Sequence, residues 1–320
     1  MGLLVNGTWK DHWYENRDGE FIREDAQFRH WVTADGSAGP TGDAGFKAES
    51  GRYHLFVSLA CPWAHRTLIF RTLKGLAPHI GVTVVDPVML EHGWAFSELS
   101  ENNPVADLNY LHQLYTLAAA GYSGRVTVPV LWDKQRNTIV NNESAEIIRM
   151  LNSAFNGITG NDLEFYPQEL REDIDAVNEV IYHNINNGVY KAGFATSQQA
   201  YEKAFDRLFA TLDAIEESLG ESRFLIGNKL TEADWRLFTT LIRFDAVYYS
   251  HFKTNRNRIE DYPNLFSYLC ELYQLPGIAE TVDFQQIKTH YYVSHKQLNP
   301  SQIIPKGPVL DFSLPSGRGA

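Results

Sequence analysis

Apolar and polar positions alternate with two different periods along the chain. Tyr53 to Val57 is a short run rich in aromatic and β-branched residues, and it predicts a buried strand. Pro62 follows, at a position that suits the first turn of a helix, and Ala64, Leu68, Ile69 and Leu73 then recur at helical spacing until Gly75. Val82 to Val85 predicts a second strand, and residues 88 to 124 a long irregular connection carrying Trp94. Val126 to Trp132 predicts a strand with Pro129 inside it, which demands an edge, a bulge or a special turn. Thr138 to Val140 predicts the next strand, and Asn142-Glu143-Ser144 opens a helix through Ile147, Ile148 and Leu151.

The second half reads as helix throughout. Leu170, Ile174, Val177 and Ile181 mark one face. Thr196 with Gln199 predicts a capping box for a helix ending near Gly220, and Thr231 with Asp234 another for an apolar helix through Ile242. Pro263 opens a helix with Leu265, Phe266, Leu269 and Tyr273 inward. The chain thus divides into an extended N-terminal coil (1–48) anchored by its aromatics, an α/β domain (49–157), an all-helical domain (165–300) and a proline-rich tail (301–320). No internal repeat is present.

A formal charge of −11 argues against sequence-independent nucleic-acid binding and against an anionic membrane surface. No long apolar run or basic leader is seen, and the two cysteines, Cys61 and Cys270, give no disulfide framework, so a cytoplasmic location is expected. The Asn6-Gly7-Thr8 and Asn142-Glu143-Ser144 glycosylation matches are read as chance. His290 and His295 lack the spacing of a metal pair, so no metal is expected.

Cys61 carries the candidate chemistry. It sits where the strand ends and the helix begins, among unpaired N–H groups that favour a thiolate. A buried structural cysteine is the alternative, but an inert cysteine gains nothing from this placement. A dithiol oxidoreductase would carry a second cysteine at the position of Ala64; the motif here is Cys-Pro-Trp-Ala. Cys61 can therefore form a mixed disulfide that only an external thiol releases. Cys270, inside an apolar helical pattern, reads as buried and inert.

A Cys-Pro turn in a βαβ unit, a Val-Pro strand, Glu-Ser at a helix start and a trailing helical half resemble the glutathione transferase superfamily. Ser58 to Thr67, Ser123 to Asp133, Asn142 to Met150, Asn186 to Gln198, Trp31 to Gly42 and His290 to Lys296 are similar to the Xi class, the glutathionyl-hydroquinone reductases. Asp245-Ala246 departs from the proline expected there. The resemblance implies a thioredoxin-like N-terminal domain, an all-helical C-terminal domain and a homodimer. It also implies a reaction in which glutathione, as co-substrate, reduces a glutathionyl-hydroquinone to the hydroquinone. On this reading Val128 holds the cysteinyl part of glutathione through its backbone, beside a cis-proline, as an added strand. Ser144 receives the γ-glutamyl carboxylate at a helix N-terminus and Glu143 the α-amino group, although plain capping explains both. Trp94 covers glutathione, Arg125 meets a carboxylate, and Tyr190 and Tyr291 place hydroxyls beside the quinol. The rival for Trp94 and the tyrosines is core packing, and for Arg125 a solvated charge. Two other functions compete: an Omega-like thioltransferase or dehydroascorbate reductase, and a non-catalytic glutathione-fold scaffold.

Overall fold

The computed structural model describes residues 2–14, 16–98 and 100–318. They fall into two compact units, Met1–Trp13 with Glu24–Glu164, and Tyr14–Arg23 with Phe165–Ala320.

The N-terminal arm, which reads as an extended coil, carries short strands. Strands β1 (Leu3–Val5) and β2 (Thr8–Lys10) form a hairpin, and so do β3 (Asn16–Arg17) and β4 (Glu20–Phe21). Asn6-Gly7 and Asp18-Gly19 make the two turns, with φ of 47° and 74°, and of 53° and 82°. Tight hairpins need such positive values, which Asn, Asp and Gly adopt most cheaply. The β3–β4 hairpin belongs to the second unit, so the arm leaves the first unit after Trp13 and returns to it at Glu24. Strands β5 (Trp31–Thr33) and β6 (Gly45–Lys47) pair in parallel.

The first unit is built on β7 (Tyr53–Val57), buried along its whole length. Helix α1 (Pro62–Leu73) leads to β8 (Gly81–Val84), which pairs in parallel with β7. The connection after β8 is less irregular than expected, because Leu111, Leu114 and Tyr115 are the buried face of α2 (Leu111–Ala118). Strand β9 (Gly124–Arg125) extends the first hairpin, while β10 (Val130–Asp133) lies antiparallel to β7. The ladder strand therefore starts after Pro129, not at Val126, since proline has no N–H to give it. β11 (Thr138–Asn141) completes a mixed sheet of order β11-β10-β7-β8. α3 (Ser144–Ser153) packs on α1, and a short α4 (Asn156–Thr159) follows. Leu55, Ile69, Val130, Ile147 and Leu151 are fully buried between these layers, each worth about 1.5–3 kcal/mol. Arg52 forks onto Asp133 at 2.9 and 2.5 Å, tying the start of β7 to the end of β10.

The second unit is helical apart from its hairpin. α5 (Arg171–Ile181) runs into a π-helical segment at 182–186, then α6 (Gly188–Gly193) and α7 (Gln198–Glu221). Ser197, one residue later than expected, caps α7 by accepting from the Ala200 N–H. Thr231 and Asp234 form the expected capping box of α8 (Glu232–Arg243), which continues through a π segment at 244–248 into α9 (Tyr249–His251). α10 (Pro263–Tyr273) and α11 (Phe284–Ser294) close the unit. The tail is irregular but tied down. Phe312 is buried against Phe266, Tyr273 and Phe284, and Arg318 donates to the carbonyls of Leu219, Ser222 and Arg223.

Candidate active site

In the first unit the chemistry gathers at the start of α1. Cys61 is the residue preceding the first helical turn, with φ −77° and ψ 121°, and Pro62 begins the helix. Its carbonyl accepts from the His65 N–H at 3.0 Å, so the first turn is regular. The thiol is part-exposed, and its Sγ lies 3.6 Å from the Val128 carbonyl, to which it donates. This is the helix end at which negative charge on sulfur is favoured.

Val128 is buried, and the Val128–Pro129 bond is cis. The Tyr115 hydroxyl holds the preceding residue, donating to the Thr127 carbonyl at 2.8 Å and accepting from Asn142 Nδ2 at 3.1 Å. Glu143 caps α3, accepting from the Ala145 N–H at 3.0 Å, while the Asn141 side chain accepts from its own N–H at 2.7 Å. Ser144 is the first residue of α3 and is buried. Arg66, on the helix that carries Cys61, lies over the Trp63 ring at 4.5 Å and reaches Ser144 Oγ at 3.4 Å. Thus α1 places Cys61 against Val128 and links the same helix to Ser144. Arg66 and Tyr115 were missed from sequence, since an arginine and a tyrosine on helices carry no local mark of these contacts.

Trp94 and Arg125 also belong to the first unit. Trp94, in the connection from β8 to α2, is buried, its carbonyl accepting from the Leu111 N–H at 2.9 Å. Arg125 is also buried. Its guanidinium donates to the carbonyls of His12 and Trp13 at 2.6 and 3.1 Å and to Glu24 at 3.2 Å, so it fastens the N-terminal arm.

The second unit holds a chain of phenols. The Tyr190 and Tyr291 hydroxyls are 2.6 Å apart, and Tyr248, not anticipated, brings a third hydroxyl to 3.0 Å from that of Tyr291. Tyr291 is fully buried, and burial together with its two phenol neighbours raises its pKa well above the usual tyrosine value. Tyr190 is the outer member, 9% exposed. Phe21 and Phe194 pack near its ring, and the Arg23 guanidinium sits 5.2 Å above it while donating to Asn187 at 2.8 Å. Cys270 is buried in α10, and burial pushes its thiol up to about 11, which suppresses thiolate chemistry there.

Comparison with known proteins places this geometry. The glutathione S-transferase N-terminal domain matches residues 60–154, and the C-terminal domain of the same family matches residues 198–269. A Xi-class glutathione transferase structure from Natrialba magadii is 46% identical, with a TM-score of 0.89 over 98% of this chain and 95% of that one. The chain belongs to the Xi-class glutathione transferases. Among its relatives, the glutathionyl-hydroquinone reductase YqjG of Escherichia coli is 55% identical over 99% of this chain and 98% of its own. The glutathione-bound structure of that protein has a TM-score of 0.92, at 53% identity and 99% coverage of both chains. The glutathionyl-hydroquinone reductase PcpF of Sphingobium chlorophenolicum is 48% identical over 96% of each chain. The two-domain transferase fold, a thioredoxin-like α/β domain followed by a helical one, is thereby that of this Xi-class chain. Among the described residues, no helix is long and apolar enough to cross a membrane, and no group of three or more His, Cys, Asp and Glu side chains is arranged to hold a metal.

Proposed function

We propose that this Xi-class chain is a glutathionyl-hydroquinone reductase in which Cys61 is the nucleophile. The observation that carries the reading is a single thiol at a helix start, with alanine where a resolving cysteine would stand, in a chain so similar to two reductases of that name. The Cys61 thiolate attacks the glutathionyl sulfur of the substrate. The sulfur–carbon bond to the ring breaks, the ring carbon takes a proton and the hydroquinone leaves, while Cys61 is left joined to glutathione. A glutathione thiolate then attacks this disulfide, restoring the Cys61 thiolate and giving oxidised glutathione. The ring is reduced by two electrons, and two glutathionyl groups are oxidised to one disulfide.

Within this reading the Val128 backbone receives the cysteinyl part of glutathione, supported by its contact with Cys61 Sγ. Glu143 and Ser144 take the γ-glutamyl end at the start of α3, supported by the link between Ser144 and Arg66. Trp94 covers the tripeptide. Arg125 acts at one remove, by holding the arm at His12 and Trp13. Tyr190, the outer phenol, faces the quinol ring, and buried Tyr291 works through it as hydrogen-bond partner. The enzyme acts as a cytoplasmic homodimer on soluble small molecules.

The test is release of hydroquinone from glutathionyl-menadiol in the presence of glutathione, for wild type, Cys61→Ala and Cys270→Ala. Rapid release by wild type and Cys270→Ala, abolished in Cys61→Ala, is the expected result. Full activity in Cys61→Ala would remove Cys61 from the mechanism. Failure of the wild type on this substrate, with dehydroascorbate still reduced, would move the function to the Omega-like thioltransferases.

A further inference from the structure

A second concave surface lies within the helical unit. It opens to solvent with about 440 Å³ of empty volume. Gly188, Ala200 and Ala204 line it with little more than backbone and methyl groups. Lys203 and Arg207 are four residues apart on α7 and so project from one face of that helix. Lys191 comes from α6, His183 from the π segment before it, and Glu20 from β4. In a chain with 39 acidic and 28 basic residues, three permanent cations against one carboxylate run counter to the average.

These charges are not balanced internally. Glu20 pairs with Lys203 at 2.6 Å, which accounts for one cation. His183 is paired with Glu179 at 2.9 Å, outside the lining. Lys191 donates one hydrogen bond, to the His183 carbonyl at 3.2 Å, so an ammonium with three donors has capacity left. Arg207, exposed on the rim, has its guanidinium in no hydrogen bond or close ion pair with the described residues. Burial and the nearby Arg207 and Lys203 charges lower the Lys191 pKa, whereas Glu20 opposes them, so an anion at this place would relieve the repulsion.

We propose that this cleft binds the phosphate group of a small soluble molecule, with Arg207 and Lys191 as its ligands and the Gly188–Ala200–Ala204 floor against the organic part. The excess of two positive charges selects a doubly charged oxyanion over a single carboxylate. The guanidinium fork matches two phosphate oxygens, and the ammonium adds a point charge. The site is independent of the Cys61 chemistry, and neither ligand is part of that machinery.

Calorimetric titration of the full-length protein tests it, with inorganic phosphate, glycerol 3-phosphate, acetate and phosphatidylglycerol vesicles as probes. Both phosphates are expected to bind with a Kd of about 1 mM or tighter, and acetate far more weakly. Arg207→Gln and Lys191→Gln should each weaken phosphate by about tenfold, and high salt should weaken it further. Arg207 is exposed and Lys191 half-buried at the cleft, so melting temperature should change little and hydroquinone release should stay at the wild-type value. Absence of phosphate binding, binding unchanged in both variants, or acetate binding as tightly as phosphate would overturn the proposal. Capture by the vesicles with no binding of the soluble phosphates would replace it with a membrane-surface site.

Discussion

Replacing Ala64 by cysteine probes the monothiol chemistry directly. Ala64 lies three residues beyond Cys61, in a first turn whose His65 N–H to Cys61 carbonyl bond is 3.0 Å. Helical positions three apart place their Cβ atoms about 5–6 Å from each other, and a disulfide needs about 3.5–4.5 Å, so a small local adjustment closes the bridge. Ala64 is fully buried, and the added sulfur should cost about 1–3 kcal/mol through crowding, a loss that a large two-unit chain tolerates. Well-oriented intramolecular reactions reach effective molarities of about 10⁵ M and above. Even a thousandfold penalty for imperfect alignment leaves the introduced thiol far ahead of millimolar glutathione. The assay mixes enzyme with glutathionyl-menadiol without added glutathione, quenches, and weighs the intact chain. Wild type should release one hydroquinone and retain one glutathione per chain. Ala64→Cys should also release the hydroquinone, then lose the glutathione and finish two hydrogens lighter, with an internal disulfide. A folded Ala64→Cys protein that keeps its glutathione adduct as wild type does would refute the assigned nucleophile or the geometry of the turn.

Three further perturbations separate the remaining arguments. Tyr291→Phe removes the hydroxyl shared by Tyr190 and Tyr248 and should lower kcat by about 10–100-fold with little change in KM; an unchanged kcat would remove the phenol chain from proton delivery. His54, buried against Thr83 at 2.8 Å, has its pKa lowered to about 4 by burial. As pH falls from about 6.5 to 4 the unfolded chain takes up this proton first, so about 3 kcal/mol present at pH 7 is progressively lost. His54→Gln should therefore show a shallower loss of stability in urea melts between pH 7 and 4.5, and an equal slope would show that His54 does not titrate there. Arg125→Met should free the His12 and Trp13 carbonyls, and limited proteolysis should then cut the arm faster between residues 8 and 24 at unchanged cleavage elsewhere.

What could be read from the chain was local. The β7 strand, the Pro62 helix start and the Thr231–Asp234 cap each depend on residues within a few positions of one another, and the structure has all three. The Asn6-Gly7 and Asp18-Gly19 turns were equally local, yet the scattered aromatics around them hid the strand alternation. Helix α2 is legible too, in the spacing of Leu111, Leu114 and Tyr115, but the polar residues around it make the long connection read as one loop.

The unread part depends on distance along the chain. Tyr248 and Tyr190 join Tyr291 from 43 and 101 residues away, and nothing beside any of them signals the other two. The π segments before α6 and α9 bring extra residues into otherwise regular helices with no compositional mark. Arg125 makes the point most sharply. Beside a strand it reads as a solvated charge or a ligand for a carboxylate, because both readings look only at its neighbours. Three of its donors go to the carbonyls of His12 and Trp13, 113 and 112 residues upstream, and to the Glu24 carboxylate, all in the segment that reads as an extended coil. A buried guanidinium must have such acceptors, since leaving its N–H groups unpaired would cost several kcal/mol. Burial of this arginine, had it been known, would alone have predicted that some part of the chain folds back to meet it.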